Sequence, residues 1–133
     1  MRIIRREELA GTDRRVRTAA YDTTRFLLAS DDAGATVTDI VLAPDVEETY
    51  GYDHHTEIAY CVEGEAEVTD FATGTTYAIS PGTMWVALPG ERFRFRAARP
   101  TRLICVFTPP LRGNETGFAA NMAGGAESMP GDG

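Results

Sequence analysis

The side chains with the greatest chemical capacity lie together, between Tyr52 and Glu57. This stretch reads Tyr-Asp-His-His-Thr-Glu and contains both histidines of the chain, His54 and His55. Imidazole and carboxylate groups transfer protons and also bind metal ions. Because the two histidines are neighbours, they point to opposite faces if this segment is a strand. A site with three histidines is therefore impossible within one chain.

Glu57 opens a predicted strand over residues 56–62. On such a strand Glu57, Ala59 and Cys61 share one face, because successive side chains alternate. A carboxylate on a face of small residues would project into a cavity if the sheet curls into a barrel. We therefore expect Glu57 to be an interior acid, base or lone metal ligand. The alternative is a carboxylate that is hydrogen-bonded inside the barrel.

The rest of the chain supplies many short strands and almost no helical period. Residues 7–17 are polar and could hold a helical turn before Gly11-Thr12-Asp13. Turn residues such as Glu63-Gly64, Pro81-Gly82 and Arg99-Pro100 separate the alternating runs. This pattern is typical of an all-β antiparallel sandwich or barrel. Strands are predicted at 2–5, 24–29, 35–43, 46–51, 56–62, 65–70, 75–80, 84–88, 92–97 and 101–107.

Several strands have an inward face that can be predicted from alternation. Phe93 and Phe95 alternate with arginines, and Cys105 lies on the inward face of the last strand. Cys61 falls on the inward face of its own strand. Buried free thiols are expected rather than a disulfide, because the chain is expected to be cytoplasmic.

Composition narrows the class of protein. The 133 residues suit one domain, with 43% hydrophobic and 25% charged residues. A net charge of −7 argues against nucleic acid as a partner. No apolar run approaches the roughly 20 residues that span a bilayer, and Met1-Arg2-Ile3-Ile4 does not begin a signal peptide. We therefore predict a cytoplasmic protein without a membrane partner.

Five motifs keep the spacing of one known family. They are Gly11-Thr12-Asp13-Arg14, Val16-Arg17, Glu57-x-x-Tyr60-Cys61-x-Glu63-Gly64-Glu65, Pro81-Gly82-Thr83-Met84 and Cys105-Val106-Phe107-x-Pro109-Pro110-Leu111-x-Gly113. With them the chain resembles ectoine synthase, a small cupin, over residues 1–115. The resemblance implies a cupin double-stranded β-barrel of jelly-roll type, a single domain over residues 1–116 and a homodimer. Residues 117–133 lie outside it and are predicted to be a flexible tail.

The resemblance also implies an activity and a metal. Ectoine synthases are iron-dependent cyclases that condense the amine of an acetylated diaminobutyrate onto its own amide carbonyl, with loss of water. Their metal is held by a glutamate, a tyrosine and a histidine, which correspond here to Glu57, Trp85 and Phe93. Indole and phenyl groups donate no lone pair to a metal. We therefore predict that the iron(II) site is lost and that no cofactor is needed. If any metal binds, Glu57 with His54 would hold it.

The family's substrate pocket is also partly changed in this chain. The early tryptophan is replaced by Tyr21, the pocket threonine by Ile40 and a late histidine by Gly117. These changes, with Trp85 and Phe93, remove polarity or a ligand. The positions that keep the family's residue are Arg25, Tyr52, His55, Phe107, Pro109 and Glu115.

These residues lead to one preferred hypothesis and two alternatives. We predict a cyclase or dehydratase, a carbon–oxygen lyase, acting on a small molecule that is bulkier and less polar than the ectoine precursor. Catalysis is assigned to Glu57, assisted by His55 and Tyr52. The predicted substrate-binding residues are Arg25, Tyr21, Ile40, Trp85, Phe93, Phe107 and Glu115.

The alternatives follow from readings of the same residues. A non-catalytic cupin could bind or sense a small molecule through Trp85 and Phe93, which could also be plain core filling. One histidine of the pair could face solvent while the other binds a backbone carbonyl. A metal-dependent ectoine synthase, with ligands from elsewhere, is the second alternative.

Overall fold

The computed structural model describes residues 1–113 and forms an antiparallel β structure. Residues 2–5 are not a strand, contrary to the prediction, whereas the helical turn expected before Gly11 is present as a short helix. The predicted tail over 117–133, the boundary at 116 and Glu115 lie outside the described residues. The elements are helix α1 (Arg6–Leu9), a 3₁₀ turn (Ala29–Asp31) and the strands β1 (Arg15–Arg17), β2 (Tyr21–Leu27), β3 (Thr36–Leu42), β4 (Glu47–Tyr50), β5 (Thr56–Asp70), β6 (Thr76–Ile79), β7 (Met84–Ala87) and β8 (Phe93–Thr108).

The sheet is organised around its two longest strands, β5 and β8. The strand order is β1-β2-β3-β8-β5-β6, with β4 also paired to β8 and β7 also paired to β5. Both long strands therefore change neighbours along their length: β8 pairs with β4 and then β3, and β5 pairs with β7 and then β6. This arrangement wraps the inward faces of eight strands around one interior.

The change of neighbours coincides with bends rather than turns. Glu63-Gly64 and Arg99-Pro100 were predicted to separate strands, but β5 and β8 run through them with shifts in register. Gly64 has a φ of 108°, and a β-carbon there would lie 2.5 Å from the backbone of Thr101. Only glycine allows this close approach of two strands, so the segment forms a bulge.

Alternation places the predicted faces as expected. Phe93 and Phe95 are buried on β8, followed by Leu103, Cys105 and Phe107 on the same face. Cys61 and Cys105 are buried free thiols, which confirms the prediction. Among the described residues, no helix is long and apolar enough to cross a membrane.

Candidate active site

Glu57 lies in the interior, on the stretch of β5 between β7 and β8. Its backbone is paired with Ala87 on one side and Phe107 on the other. The residue is only 4% exposed, and within residues 1–113 its Oε1 atom has no hydrogen-bond partner. Burial raises the pKa of Glu57 to about 8, because a carboxylate loses the stabilisation of water when it is desolvated. The carboxyl group is therefore poised to give or take a proton near neutral pH.

A small cavity, which we call the Glu57 cavity, adjoins this carboxyl group. Its volume is about 10 Å³, roughly the minimum that a single water molecule requires. Its walls are almost wholly apolar, so nothing in them offsets the desolvation of the carboxyl group. The lining residues are Ile40, Leu42, Tyr50, Glu57, Trp85, Phe93, Phe95, Leu103 and Cys105.

Four aromatic rings of this lining contact one another in a closed circuit. Tyr50 lies 5.8 Å from Phe93 and 6.5 Å from Phe95, measured between ring centroids. Trp85 lies 5.9 Å from Phe93 and 6.2 Å from Phe95. The planes of Trp85 and Phe95 are nearly parallel, at 26°, whereas those of Trp85 and Phe93 are steeply inclined, at 78°. We call these four residues the aromatic ring set.

Two further cavity residues carry weakly acidic groups. Desolvation, together with the nearby Glu57, raises the pKa of the Tyr50 hydroxyl and of the Cys105 thiol. Both groups therefore stay protonated at neutral pH. Sequence reasoning did not place Tyr50 or Phe95 in the site, although Phe95 was expected to point inward. The pairing of Tyr50 with Phe93 is the contact that brings Tyr50 to Glu57.

Tyr52 and His55 lie in the interior but do not line the Glu57 cavity. Tyr52 packs against Phe107 at 5.1 Å and against His55 at 6.0 Å between ring centroids. His55 is buried, and its Nδ1 atom is 2.7 Å from the carbonyl oxygen of Pro109. His54 is exposed. The histidine pair thus divides between solvent and a backbone carbonyl, which is one of the two arrangements considered from sequence.

The predicted substrate-binding residues are divided between two parts of the interior. Ile40, Trp85 and Phe93 line the Glu57 cavity. Tyr21 is buried but does not line this cavity, and desolvation raises the pKa of its hydroxyl. Arg25 donates hydrogen bonds from Nη1 to the carbonyl oxygen of Gly113, at 2.8 Å, and from Nη2 to that of Asp13.

The residues at the family's metal-ligand positions do not fit a metal ion. Glu57 supplies a carboxylate, but Trp85 and Phe93, which line the same cavity, offer no lone pair to a metal. Within the described part of the chain, no group of three or more His, Cys, Asp and Glu residues is placed to hold a metal. His54 is exposed while Glu57 is buried. The two residues that were predicted to hold any metal therefore do not face one site. Iron therefore has no part in the mechanism proposed below.

Trp85 and Phe93 also line a second, larger recess of about 240 Å³, which we call the outer cleft. Polar groups at its rim come from Asp70, Glu91 and Arg92. Arg92 is held by Asp53, with 2.6 Å between Nη2 and Oδ1. The two rings thus separate the buried carboxyl group from a recess that is accessible to solvent.

Comparisons with known proteins agree on one family. The family model described as ectoine synthase matches residues 1–122. The L-ectoine synthase of Thermobifida fusca is 39% identical over 109 residues, which are 82% of this chain and 81% of that protein. The solved ectoine synthase from P. lautus has a TM-score of 0.82 and 34% identity, with 87% of this chain and 83% of that chain covered.

A more distant structure shows the fold alone. An RmlC-like cupin from Shewanella frigidimarina has a TM-score of 0.60 at 17% identity, and the match covers 71% of this chain and 80% of that one. The architecture of β1–β8 is therefore a cupin barrel, as the sequence indicated. Because the family model spans most of the chain and close relatives span four fifths of it, the protein belongs to the ectoine synthase family.

Proposed function

We propose that the protein is a cyclase of the hydro-lyase class that closes a ring with loss of water by acid–base chemistry through Glu57. Membership of the ectoine synthase family supports a cyclising dehydration. The observation that carries the mechanism is a buried carboxyl group that has an unbonded oxygen and a pKa of about 8, inside an apolar cavity. Enzymes use such a raised pKa to run acid catalysis at neutral pH.

The reaction needs four proton transfers around one carbon atom. Protonated Glu57 gives its proton to the carbonyl oxygen of an amide while the substrate's amine nitrogen bonds to the carbonyl carbon. The resulting carboxylate takes a proton from that nitrogen. Return of this proton to the new hydroxyl group breaks the carbon–oxygen bond, releases water and leaves a protonated carbon–nitrogen double bond. The Glu57 carboxylate then takes the remaining proton from that nitrogen, so the product is neutral, Glu57 ends protonated and the cycle is balanced.

The substrate in this proposal is bulkier and less polar than the ectoine precursor and belongs to a biosynthetic, specialised-metabolite pathway. Support comes from the site, where Ile40, Trp85 and Phe93 occupy positions at which the family has polar or metal-binding groups. Apolar walls favour apolar substrate surface. The outer cleft beyond Trp85 and Phe93 offers room for the larger part of the molecule.

The remaining predicted residues take positioning roles. Tyr52 packs on Phe107, whose backbone pairs with Glu57, and His55 packs on Tyr52. Tyr52 and His55 would thus assist by fixing the segment that carries the acid. Arg25 is engaged by two backbone carbonyls and would shape one end of the barrel. Glu115 stays a predicted anchor for the substrate, outside the described residues.

Replacing the proposed acid tests the mechanism. Glu57→Gln keeps the shape of the side chain but cannot shuttle protons, so turnover should fall by roughly a hundredfold or more. The measurement is loss of water by mass spectrometry, for acetylated diaminobutyrate and for analogues with longer acyl groups. Glu67→Gln is the matched control, because Glu67 lies on the same strand but is exposed. Equal turnover in the Glu57 variant and the wild-type protein would end the proposal.

Two alternatives have their own tests. The Glu57 cavity has room for about one water. A non-catalytic binding protein would bind the analogues saturably and convert none of them. A metal-dependent ectoine synthase would carry stoichiometric metal when purified, and elemental analysis distinguishes it from the other two.

The proposal includes a homodimer. The outer faces of β5 and β7 expose Tyr60, Met84 and Val86, where Met84 pairs with Tyr60 across the strands. Contiguous apolar surface of this kind marks an interface. A second copy of the chain is the proposed partner, and sedimentation of the wild-type protein beside Val86→Lys checks it.

A further inference from the structure

We propose that the outer cleft is itself a binding site for a planar organic cation, an amidinium or guanidinium group carried by an apolar ring or chain. The cleft is separate from the Glu57 cavity, since Glu57 does not line it. Two of its lining residues, Tyr77 and Glu91, are exposed, so a ligand enters from solvent. The inference therefore goes beyond the proposed function and does not depend on catalysis by Glu57.

The cleft lies at a junction of strands. β6 and β7 pair with successive stretches of β5, at 66–69 and 57–60, and β8 begins opposite Asp70 of β5. Val68, Tyr77, Trp85 and Phe93 meet at this junction and line the cleft. Val68 and Phe93 are buried, whereas Tyr77 is 52% exposed. The junction therefore leaves a recess of about 240 Å³ with an apolar floor and a solvent-exposed aromatic wall.

Two aromatic rings of the cleft have surface available to a ligand. Trp85 stacks on Phe95, with an angle of 26° between the planes, and Phe95 lines the Glu57 cavity but not the cleft. The surface of Trp85 that borders the cleft is therefore not the one that Phe95 covers. Tyr77 supplies the second ring. Aromatic rings attract cations through the ring quadrupole, and planar guanidinium groups also stack on them.

The charged residues of the cleft favour a cation over an anion. Arg92 is paired with Asp53, with 2.6 Å between Nη2 and Oδ1, so its positive charge is offset. The other charged residues of the lining are Asp70 and Glu91. Within residues 1–113 neither of these carboxylates takes part in an ion pair. Two negative charges beside aromatic rings are thus left for a positive ligand.

The backbone holds both carboxylates in place. Asp70 accepts a hydrogen bond at Oδ1 from the N–H of Ala72, at 2.9 Å, and Glu91 accepts one at Oε1 from the N–H of Leu88, at 2.7 Å. In the described part of the chain, the second oxygen of each carboxylate accepts no hydrogen bond. Amidinium and guanidinium groups present several N–H donors in one plane, which suits carboxylate oxygens. A quaternary ammonium ion has no such donor.

Trp85 makes binding directly measurable, because it is the only tryptophan of the chain and gives a single indole N–H signal in NMR spectra. We would titrate the whole protein with benzamidine, with sodium chloride as the control for ionic strength. Benzamide keeps the ring without the charge, and phenyltrimethylammonium keeps the ring and the charge without N–H donors. The expected result is a saturable shift of the Trp85 signal with benzamidine, about tenfold weaker binding of benzamide and about fivefold weaker binding of phenyltrimethylammonium.

Matched variants identify the groups responsible. Glu91→Gln and Asp70→Asn should each weaken benzamidine binding about fivefold and leave benzamide binding unchanged. Glu67→Gln is the control, because Glu67 is exposed on the same strand as Asp70 but does not line the cleft. Tyr77→Leu should weaken benzamidine binding, whereas Phe71→Leu should not, since Phe71 is exposed outside the cleft. Thermal unfolding confirms that each variant is folded.

The outcomes separate this inference from the proposed function. Glu57→Gln should bind benzamidine as the wild-type protein does, because Glu57 lies outside the cleft. Saturable binding without turnover of any acyl analogue would retain the cation site and remove the cyclase. The cation site would be overturned, whatever the turnover, by any of three results: no saturation by benzamidine, equal affinity for either analogue, or unchanged affinity in both carboxylate variants of the cleft.

Discussion

Two carboxyl groups are buried within residues 1–113, and their surroundings are opposite. Asp39 is 8% exposed and Glu57 is 4% exposed. Asp39 accepts two hydrogen bonds from Arg102, at 3.0 and 2.8 Å, and is also paired with Arg6. Glu57 faces four aromatic rings and, within the described residues, has an unbonded Oε1 atom. The desolvation of the carboxylate is thus offset by arginines at Asp39 and is not offset at Glu57.

The pKa values follow this difference. For Asp39 desolvation alone would raise the pKa, but the hydrogen bonds and charges of Arg102 and Arg6 outweigh it and hold the pKa below its usual range. For Glu57 desolvation acts alone, and the pKa rises to about 8. A structural carboxylate is fixed in one protonation state, whereas a group that must exchange protons cannot be. The comparison supports a structural role for Asp39 and a chemical one for Glu57.

The largest effect that we expect is a loss of stability between pH 4.5 and 8. Over this range the folded protein keeps the Glu57 proton that the unfolded chain has lost, so the free energy of unfolding falls as pH rises. The full difference in pKa corresponds to roughly 3–5 kcal/mol. Urea unfolding at pH 5 and pH 8.5 measures it. Glu57→Gln should abolish this loss of stability, whereas Glu67→Gln should keep it. If the free energy of unfolding fell equally with pH in the wild-type protein and in Glu57→Gln, the raised pKa of Glu57 would be contradicted.

A smaller effect is expected at the compensated site. Asp39→Asn removes the charge that Arg102 and Arg6 face, and should lower the free energy of unfolding by about 2 kcal/mol at pH 7, since both arginines keep partial contact with water. In the wild-type protein this stabilisation is present above pH 3.8 and is lost as pH falls through the lowered pKa of Asp39. Urea unfolding measures both effects.

The control for this site is Asp22→Asn. Asp22 pairs with Arg15 at a more exposed position, and exposed ion pairs contribute little to stability. If Asp22→Asn were as destabilising as Asp39→Asn, burial would not be what distinguishes the Asp39 cluster.

The smallest expected effect concerns the cause of the raised pKa. Trp85→Ala opens the wall between Glu57 and the outer cleft, so water should reach the carboxyl group and lower the pKa of Glu57 by about one unit. NMR titration of the side-chain carboxyl carbons follows Glu57 and Asp39 in the same sample, and the Asp39 value should not move. Trp85→Phe should retain most of the shift. A pKa of Glu57 that stays near 8 in Trp85→Ala would mean that Trp85 does not exclude the water.

Alternation allowed the inward faces to be predicted, but pairing determined the site. The faces of β5 and β8 follow from period-two patterns that any single strand displays. Tyr50 was missed because its place beside Glu57 depends on a pairing with Phe93, 43 positions further along the chain. Glu63-Gly64 and Arg99-Pro100 were misread as turns, since residues that make turns also make bulges in long strands.

At the positions where the family has its metal ligands, residue identity alone was informative. Neither Trp85 nor Phe93 can ligate a metal in any conformation, so the prediction did not depend on geometry. For Arg25, however, the sequence could not show that its guanidinium would be taken by the carbonyl of Gly113, a residue 88 positions away.

The Arg25 guanidinium also links two distant segments of the backbone. Through two divergent nitrogens Arg25 fastens a carbonyl from the first loop and another from the final described turn to one side chain of β2. Lysine, with a single compact ammonium group, could not span both. Two segments that are far apart in sequence, at Asp13 and at Gly113, are therefore held by one side chain. Loss of Arg25 would release both segments together.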